Sequence, residues 1–139
     1  MEPSCRALFA VVGLAALGAV AVRRSLIVVD VHGASMEPTY AGGSRLLAVR
    51  SAAPARGQVI VLRHRRLSES PGASAYLIKR LAARPGDPVP ASVRATVGVE
   101  VVPVGQCVVL GDNTDSVDSR SWGFVPLSDV VGRVLRVLR

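Results

Sequence analysis

One side chain in this sequence can act as a neutral amine. Sixteen of the seventeen basic residues are arginine, and the single lysine, Lys79, sits in an apolar run between Tyr76-Leu77-Ile78 and Arg80-Leu81-Ala82-Ala83. Arginine keeps its proton in any protein site, whereas a lysine stripped of water can release its proton near neutral pH. A hydroxyl that such a base could serve lies in Val31-His32-Gly33-Ala34-Ser35-Met36-Glu37-Pro38-Thr39-Tyr40. There a strand-like run ends at a glycine, Ser35 follows, and Pro38 fixes the turn. That arrangement can hold a hydroxyl at a sheet edge with its backbone N–H free to face a reacting carbonyl. Each feature also has an ordinary explanation: codon usage that favours arginine, and the frequency of serines near glycines in turns.

Other chemistries find less support. Cys5 precedes an apolar run and Cys107 lies in the strand-like Gln106-Cys107-Val108-Val109-Leu110, so the two do not read as a pair. Neither has metal-ligand spacing, and His32 and His64 are far from both. Cys107 reads as a small buried hydrophobe. Asp112, Asp115 and Asp118 are interleaved with asparagine and arginine and complete no calcium-loop pattern, so no metal and no cofactor is implied. The formal charge is +7, but the arginines are scattered apart from Arg63-His64-Arg65-Arg66, and no aromatics interleave with them. This argues against a nucleic-acid partner.

The elements that must position Lys79 and Ser35 read as β structure. After Arg24 the apolar period is two, with valine-rich runs cut by glycine and proline. Strands are predicted at 26–31, 45–50, 58–63, 76–82, 97–102, 106–110 and 130–138. Turns are signalled at 41–43, 54–57, 71–72, 85–88 and 103–105, and a serine- and alanine-rich hairpin loop at 67–75. Helix-length segments do not alternate with the strands, which argues against a parallel sheet. A compact, mainly antiparallel β domain is expected over residues 25–139. Aromatics make up only 4% of the chain, so its core must be aliphatic.

Residues 7 to 22 carry no charged or strongly polar side chain, with Arg6 at one end and Arg23-Arg24 at the other. Sixteen helical residues rise about 24 Å, a little short of a hydrocarbon core of roughly 30 Å. Snorkelling arginine stems and the apolar Leu26-Ile27-Val28-Val29 make spanning feasible. We read 7–24 as a transmembrane anchor behind a short tail at 1–6. A signal peptide cleaved after Ala19-Val20-Ala21 and a buried core helix are the alternatives. Arg6 and the terminal amine balance Arg23 and Arg24, so flanking charge does not orient the segment.

Three segments together resemble the bacterial type I signal peptidases, serine proteases that use a serine–lysine dyad. Ser35-Met36-Glu37-Pro38-Thr39 matches the nucleophile motif of that family. Lys79-Arg80-Leu81 with Arg84-Pro85-Gly86-Asp87 resembles its lysine motif. Gly111-Asp112-Asn113, Ser116-Val117-Asp118-Ser119-Arg120 and Trp122-Gly123 are similar to its final motif. Order and spacing agree from Ser35 to Gly123. The resemblance implies a β fold of the signal peptidase type behind one transmembrane helix, and a membrane-anchored endopeptidase that removes signal peptides from exported preproteins. It casts Ser35 as nucleophile, its N–H as oxyanion donor, and neutral Lys79 as general base. Ser116 would orient the lysine, Asp118 and Arg120 would form a structural ion pair, and Met36, Tyr40 and Ile78 would line pockets for small residues. It further implies preproteins and membrane lipid as partners, a monomer, and a single-pass protein with its catalytic domain outside the cytoplasm.

The sequence departs from the family pattern at several points. Gly33 stands where some relatives carry a second oxyanion-hole serine, Tyr40 where leucine is usual, Gln58 where aspartate is usual, and Ala83 replaces a glycine. The final motif is one residue shorter between Asn113 and Ser116, which bears on whether Ser116 still reaches Lys79. Two other readings use the same fold: a membrane-anchored accessory protein that lost activity, and a self-cleaving repressor with serine–lysine chemistry. The repressor would need a DNA-binding region where this chain has its apolar segment.

Overall fold

A computed structural model describes residues 3–51, 53–63 and 75–139. His64, Arg65, Arg66 and the loop at 67–74 lie outside the described residues, as does the Cys5 side chain.

Helix α1 (Pro3–Ser25) leads directly into strand β1 (Leu26–Asp30). Then follow β2 (Arg45–Arg50), β3 (Val59–Arg63), β4 (Tyr76–Ala83), helix α2 (Ala91–Val97), β5 (Gln106–Leu110), helix α3 (Ser119–Trp122), β6 (Val125–Pro126) and β7 (Val130–Val137). The strands form one sheet, β1-β2-β7-β3-β4-β5-β6, in which every neighbouring pair is antiparallel. The fold is thus a mainly antiparallel β half-barrel behind one apolar helix, as the periodicity implied.

Period-two alternation makes β3 the middle of two apolar layers. Its Val59 and Val61 join Val29, Val31, Met36, Leu46, Ala48 and Ile78 on one face. Its Ile60 and Leu62 join Leu81, Cys107, Val109, Val125 and Val130 on the other. A strand buried on both faces needs apolar residues at every position, and Val-Ile-Val-Leu supplies them. Near its middle, β7 crosses β2 so closely that a Cβ on Gly132 would fall on the Val49 carbonyl, so only glycine fits.

One predicted strand is corrected. Val97–Val102 is not a strand: α2 runs to Val97, and Gly98, at φ 71°, closes it by donating its N–H to the Arg94 carbonyl at 2.8 Å. Within the rest of the segment Val101 bridges only Pro88, while Val89 and Val102 donate to Glu100 and Asp87. The overlooked signal was Pro90 before the helix and Gly98 after it, with Val93 and Val97 four apart on one apolar face. Valine's strand preference is weaker than that punctuation. The other six predicted strands fall on observed ones, with ends that differ by about one residue, an ordinary boundary scatter.

Every side chain from Arg6 to Arg24 is exposed, Leu8, Phe9 and Leu14 by 63%, 65% and 73%. The Arg6–Ser25 stretch is long and apolar enough to cross a membrane, with a mean hydropathy of 1.8 and none of it buried. Exposure on all sides leaves α1 without the packing that a core helix requires.

Candidate active site

Alternation along β4 sends Ile78 to one face and Leu77, Lys79 and Leu81 to the other. Lys79 lies opposite Ile60 and is only 3% exposed. Its Nζ donates a hydrogen bond of 2.8 Å to Ser116 Oγ and sits 5.9 Å from the centre of the Trp122 ring. Burial is the largest influence on this amine and lowers its pKa from the ordinary lysine value. Asp118 pulls the other way and Arg120 adds to the lowering.

After β1 the chain turns back on itself through Gly43 N–H to Val31 carbonyl and Val31 N–H to Ser44 carbonyl bonds, each 2.8 Å. Fully buried Met36 plugs this turn into the core, and Tyr40 donates its N–H to the Met36 carbonyl at 2.9 Å. Ser35, half-buried just before the plug, borders an open cleft of about 670 Å³ together with Lys79 and Ser116. His32, Leu77, Asn113 and Trp122 also line it. Met36, Tyr40 and Ile78 do not line this cleft. They pack together in the core layer behind it.

The loop from Gly111 to Asp118 ties the segments together. Asn113 donates its N–H to the Ser35 carbonyl at 3.1 Å and its side-chain amide to the Ala34 carbonyl at 3.0 Å. A Cβ at Gly111 would collide with the Ser116 side chain and come within 2.5 Å of the Ser35 carbonyl oxygen. Glycine there lets the loop, Ser35 and Ser116 meet.

Two arginine–carboxylate forks brace this loop. Fully buried Asp118 accepts from Arg120 Nη2 at 2.7 Å, from the Gly111 N–H at 2.7 Å and from the Arg120 N–H at 3.0 Å. Burial alone pushes its carboxyl up more than any other single influence. The arginine and the two N–H donors together outweigh it and hold the pKa below the usual value. Arg120 also donates to the carbonyls of Thr114 and Asn113, both at 3.0 Å, and so grips the loop from below. The second fork went unnoticed in the sequence. Arg80 meets Asp112 through Nε at 2.7 Å and Nη2 at 2.6 Å, Thr39 donates to the same carboxylate, and Arg80 Nη1 reaches the Gly57 carbonyl at 2.7 Å. Asp112 thereby links all three motif segments. The side-chain bond from Arg80 is the main cause of its lowered pKa.

The departures from the family pattern have visible consequences. Despite the shortened motif, Ser116 still meets Lys79. Gln58 Oε1 accepts the Ala55 N–H at 2.8 Å and so caps its own turn. Ala83 is buried in the layer beneath α2. Burial raises the Cys107 thiol to about 12, which leaves it inert. Among the described residues no group of three or more His, Cys, Asp or Glu side chains gathers to hold a metal.

The sequence that builds this cleft has known relatives. The chain belongs to the family described as "Signal peptidase, peptidase S26", whose model matches residues 4–99 and 90–138. It is similar to the mitochondrial ATP-independent inner membrane protease subunit 1b of Arabidopsis thaliana, 38% identical over 117 residues, covering 75% of this chain and 64% of that protein. A probable signal peptidase I-2 of Synechocystis is 32% identical over 123 residues, covering 71% and 56%. Signal peptidase I of Buchnera aphidicola is 47% identical over 38 residues, covering 27% and 12%. The chain spans between 12% and 64% of the length of these curated relatives.

Proposed function

We propose that the protein is a membrane-anchored serine endopeptidase that removes signal peptides from exported preproteins after small-X-small sites. The observation that carries this reading is a buried lysine, donating to Ser116 at 2.8 Å, on the wall of a cleft that Ser35 shares. Lys79, neutral through burial, takes the Ser35 proton as the hydroxyl oxygen attacks the scissile carbonyl. The Ser35 N–H stabilises the oxyanion. Lys79 then protonates the leaving amine, and water, activated by the same amine, hydrolyses the acyl-enzyme. Ser116 fixes the direction of the amine, and the Asp118–Arg120 fork holds the loop that carries Ser116.

Met36, Tyr40 and Ile78 set specificity from behind the cleft. The preference for small residues beside Ser35 comes from the resemblance to the signal peptidases, and an extended substrate adds its main chain to the strand edges. Anchoring by α1 holds the site beside the bilayer, since only ten residues separate Arg24 from Ser35. In this reading residues 1–6 are cytoplasmic, the catalytic domain is on the other side, and the working unit is a monomer.

The test is cleavage of a precursor peptide with an alanine-X-alanine site by the purified full chain in detergent micelles. The wild type should cut after the second alanine, while Ser35→Ala and Lys79→Ala should not. Full activity in Lys79→Ala would sink the dyad mechanism, and an inert wild type would favour the accessory role.

A further inference from the structure

Val117 is 60% exposed, and a single exposed valine ordinarily says nothing. Its neighbours set this one apart. On one side Ser116 Oγ accepts from Lys79 at 2.8 Å. On the other, fully buried Asp118 accepts from Arg120 and from the Gly111 N–H, both at 2.7 Å. The backbone that carries Val117 is therefore pinned at both neighbours, and a β-branched side chain has little rotational freedom of its own. Val117 is thus held on the cleft wall together with Leu77 and half-buried Trp122. An apolar wall that cannot turn away from water is a preformed contact for an apolar group.

Asp115 stands on the same loop and lines the same cleft. Asp112 is taken by Arg80 and Asp118 by Arg120. Asp115 is exposed, and among the described residues its carboxylate makes no hydrogen bond or ion pair; it acts on Arg120 only through space. The position of this wall relative to the cut follows from Lys79. An amine that protonates the leaving nitrogen lies on the side of the leaving chain, and Lys79 stands between Ser116 and Trp122. Period-two alternation adds a direction. An extended substrate whose first and third residues before the cut turn toward the Met36, Tyr40 and Ile78 layer turns the first residue after it to the opposite face. That is the face of β4 on which Leu77 and Lys79 lie, in the layer that Trp122 also joins.

We propose that Leu77, Val117 and Trp122 form a subsite for the side chain of the first residue after the cut, and that Asp115 turns acidic residues away from it. The preferred substrates are then polypeptides whose released chain begins with a leucine-sized apolar residue rather than with a carboxylate. Contact with the pinned valine favours the first, and like charge disfavours the second. This inference rests on the endopeptidase reading, with Lys79 as the group that protonates the leaving amine.

The experiment measures kcat/KM of the purified full chain in detergent micelles on three precursor peptides. They share an alanine-X-alanine site and differ only in the next residue: leucine, alanine or aspartate. The leucine peptide should be cut about tenfold better than the alanine peptide, and the aspartate peptide about tenfold worse. Val117→Ser, and to a lesser extent the same-shaped Val117→Thr, should bring the leucine-to-alanine ratio toward one and leave the alanine-to-aspartate ratio in place. Asp115→Asn should do the reverse. Ratios within one protein do not depend on how much of it is folded. Val104→Ser, at a 94% exposed turn outside the cleft lining, should change neither ratio. Equal cleavage of the three peptides, or preferences that survive the substitutions at Val117 and Asp115, overturns the subsite and leaves the endopeptidase standing. A wild type that cuts none of the three overturns the endopeptidase reading and the subsite with it.

Discussion

Lys79 and Arg80 are neighbours on β4, yet the two faces of the strand treat their charges in opposite ways. Lys79 enters an apolar layer, has a hydroxyl as its hydrogen-bond acceptor, and is pushed toward neutrality by burial. Arg80 points to the other side, is 36% exposed, and is held charged mainly by its side-chain bond to Asp112. A period of two residues is enough to separate a buried amine from a brace. The contrast also explains why the one lysine stands where it does. At the first position a guanidinium would stay protonated, whereas at the second an ammonium would lose the two-point fork.

The sharpest way to break the contrast is to exchange its chemistry. On the proposed dyad mechanism, Lys79→Ala and Lys79→Arg should each lower kcat by about 10²–10⁴-fold in the precursor assay, because both remove the amine that burial pushes toward neutrality. In the wild type kcat should rise with pH along a limb centred below the ordinary lysine value of 10.5, where the amine loses its proton. Stability carries the same signature. Between the lowered folded pKa and 10.5 the unfolded chain binds a proton that the native state does not, so stability rises with pH across that window. Below the folded pKa both states are protonated and the native state bears the cost of a buried charge. In urea titrations at several pH values, Lys79→Met should abolish that rise.

Next in size is the buried fork. Asp118 is fully enclosed, and Asp118→Ala leaves Arg120 and the Gly111 N–H without their acceptor. A loss of about 3–5 kcal/mol is expected, read from the denaturant midpoint. The carboxyl is held low, so its contribution is present above the ordinary carboxylate pKa and fades as pH falls through the lowered folded value. The wild type should therefore lose stability below about pH 4, and the variant should lose less. Ser116→Ala removes only the hydroxyl that holds the amine. Its expected effect is about a tenfold fall in kcat, roughly 1.4 kcal/mol, with little change in KM or in the denaturant midpoint.

Much of this was legible in the sequence because the signals were local. Short valine-rich apolar runs bounded by glycine and proline, such as Val59–Arg63 and Tyr76–Ala83, marked the strands, and the uninterrupted apolar run marked α1. Lys79 stood out by type alone. What escaped were features that exist only after folding. The strand expected at 97–102 became the end of α2 because proline and glycine bracketed the segment and Val93 and Val97 found a buried layer. Asp112, read as one acid among three, became the joint of three motifs through Arg80 and Thr39, which lie 32 and 73 residues away in sequence. Leu77 on β4 and Trp122 on α3 are cleft walls only because folding brings those two elements beside Ser35. Leu77, two residues before Lys79, was within reach of a period-two reading.

The smallest expected effect tests whether Arg80 is only a brace. Asp112 is 15% exposed and Arg80 36%, so solvent screens the pair and much of its Coulomb energy is lost. Asp112→Asn keeps the shape but removes the charge and one side of the fork. It should cost about 1 kcal/mol or less in stability, well below the Asp118 variant. Because Asp112 ties Thr39, next to the Ser35 turn, to Arg80, next to Lys79, its loss loosens the spacing of the two segments without altering the basicity of the amine. The variant should lower kcat a few-fold with the rising limb of the pH profile unmoved. A displaced limb would mean that Arg80 and its partner help to set the charge state of Lys79, and the two faces of β4 would then not be electrostatically separate.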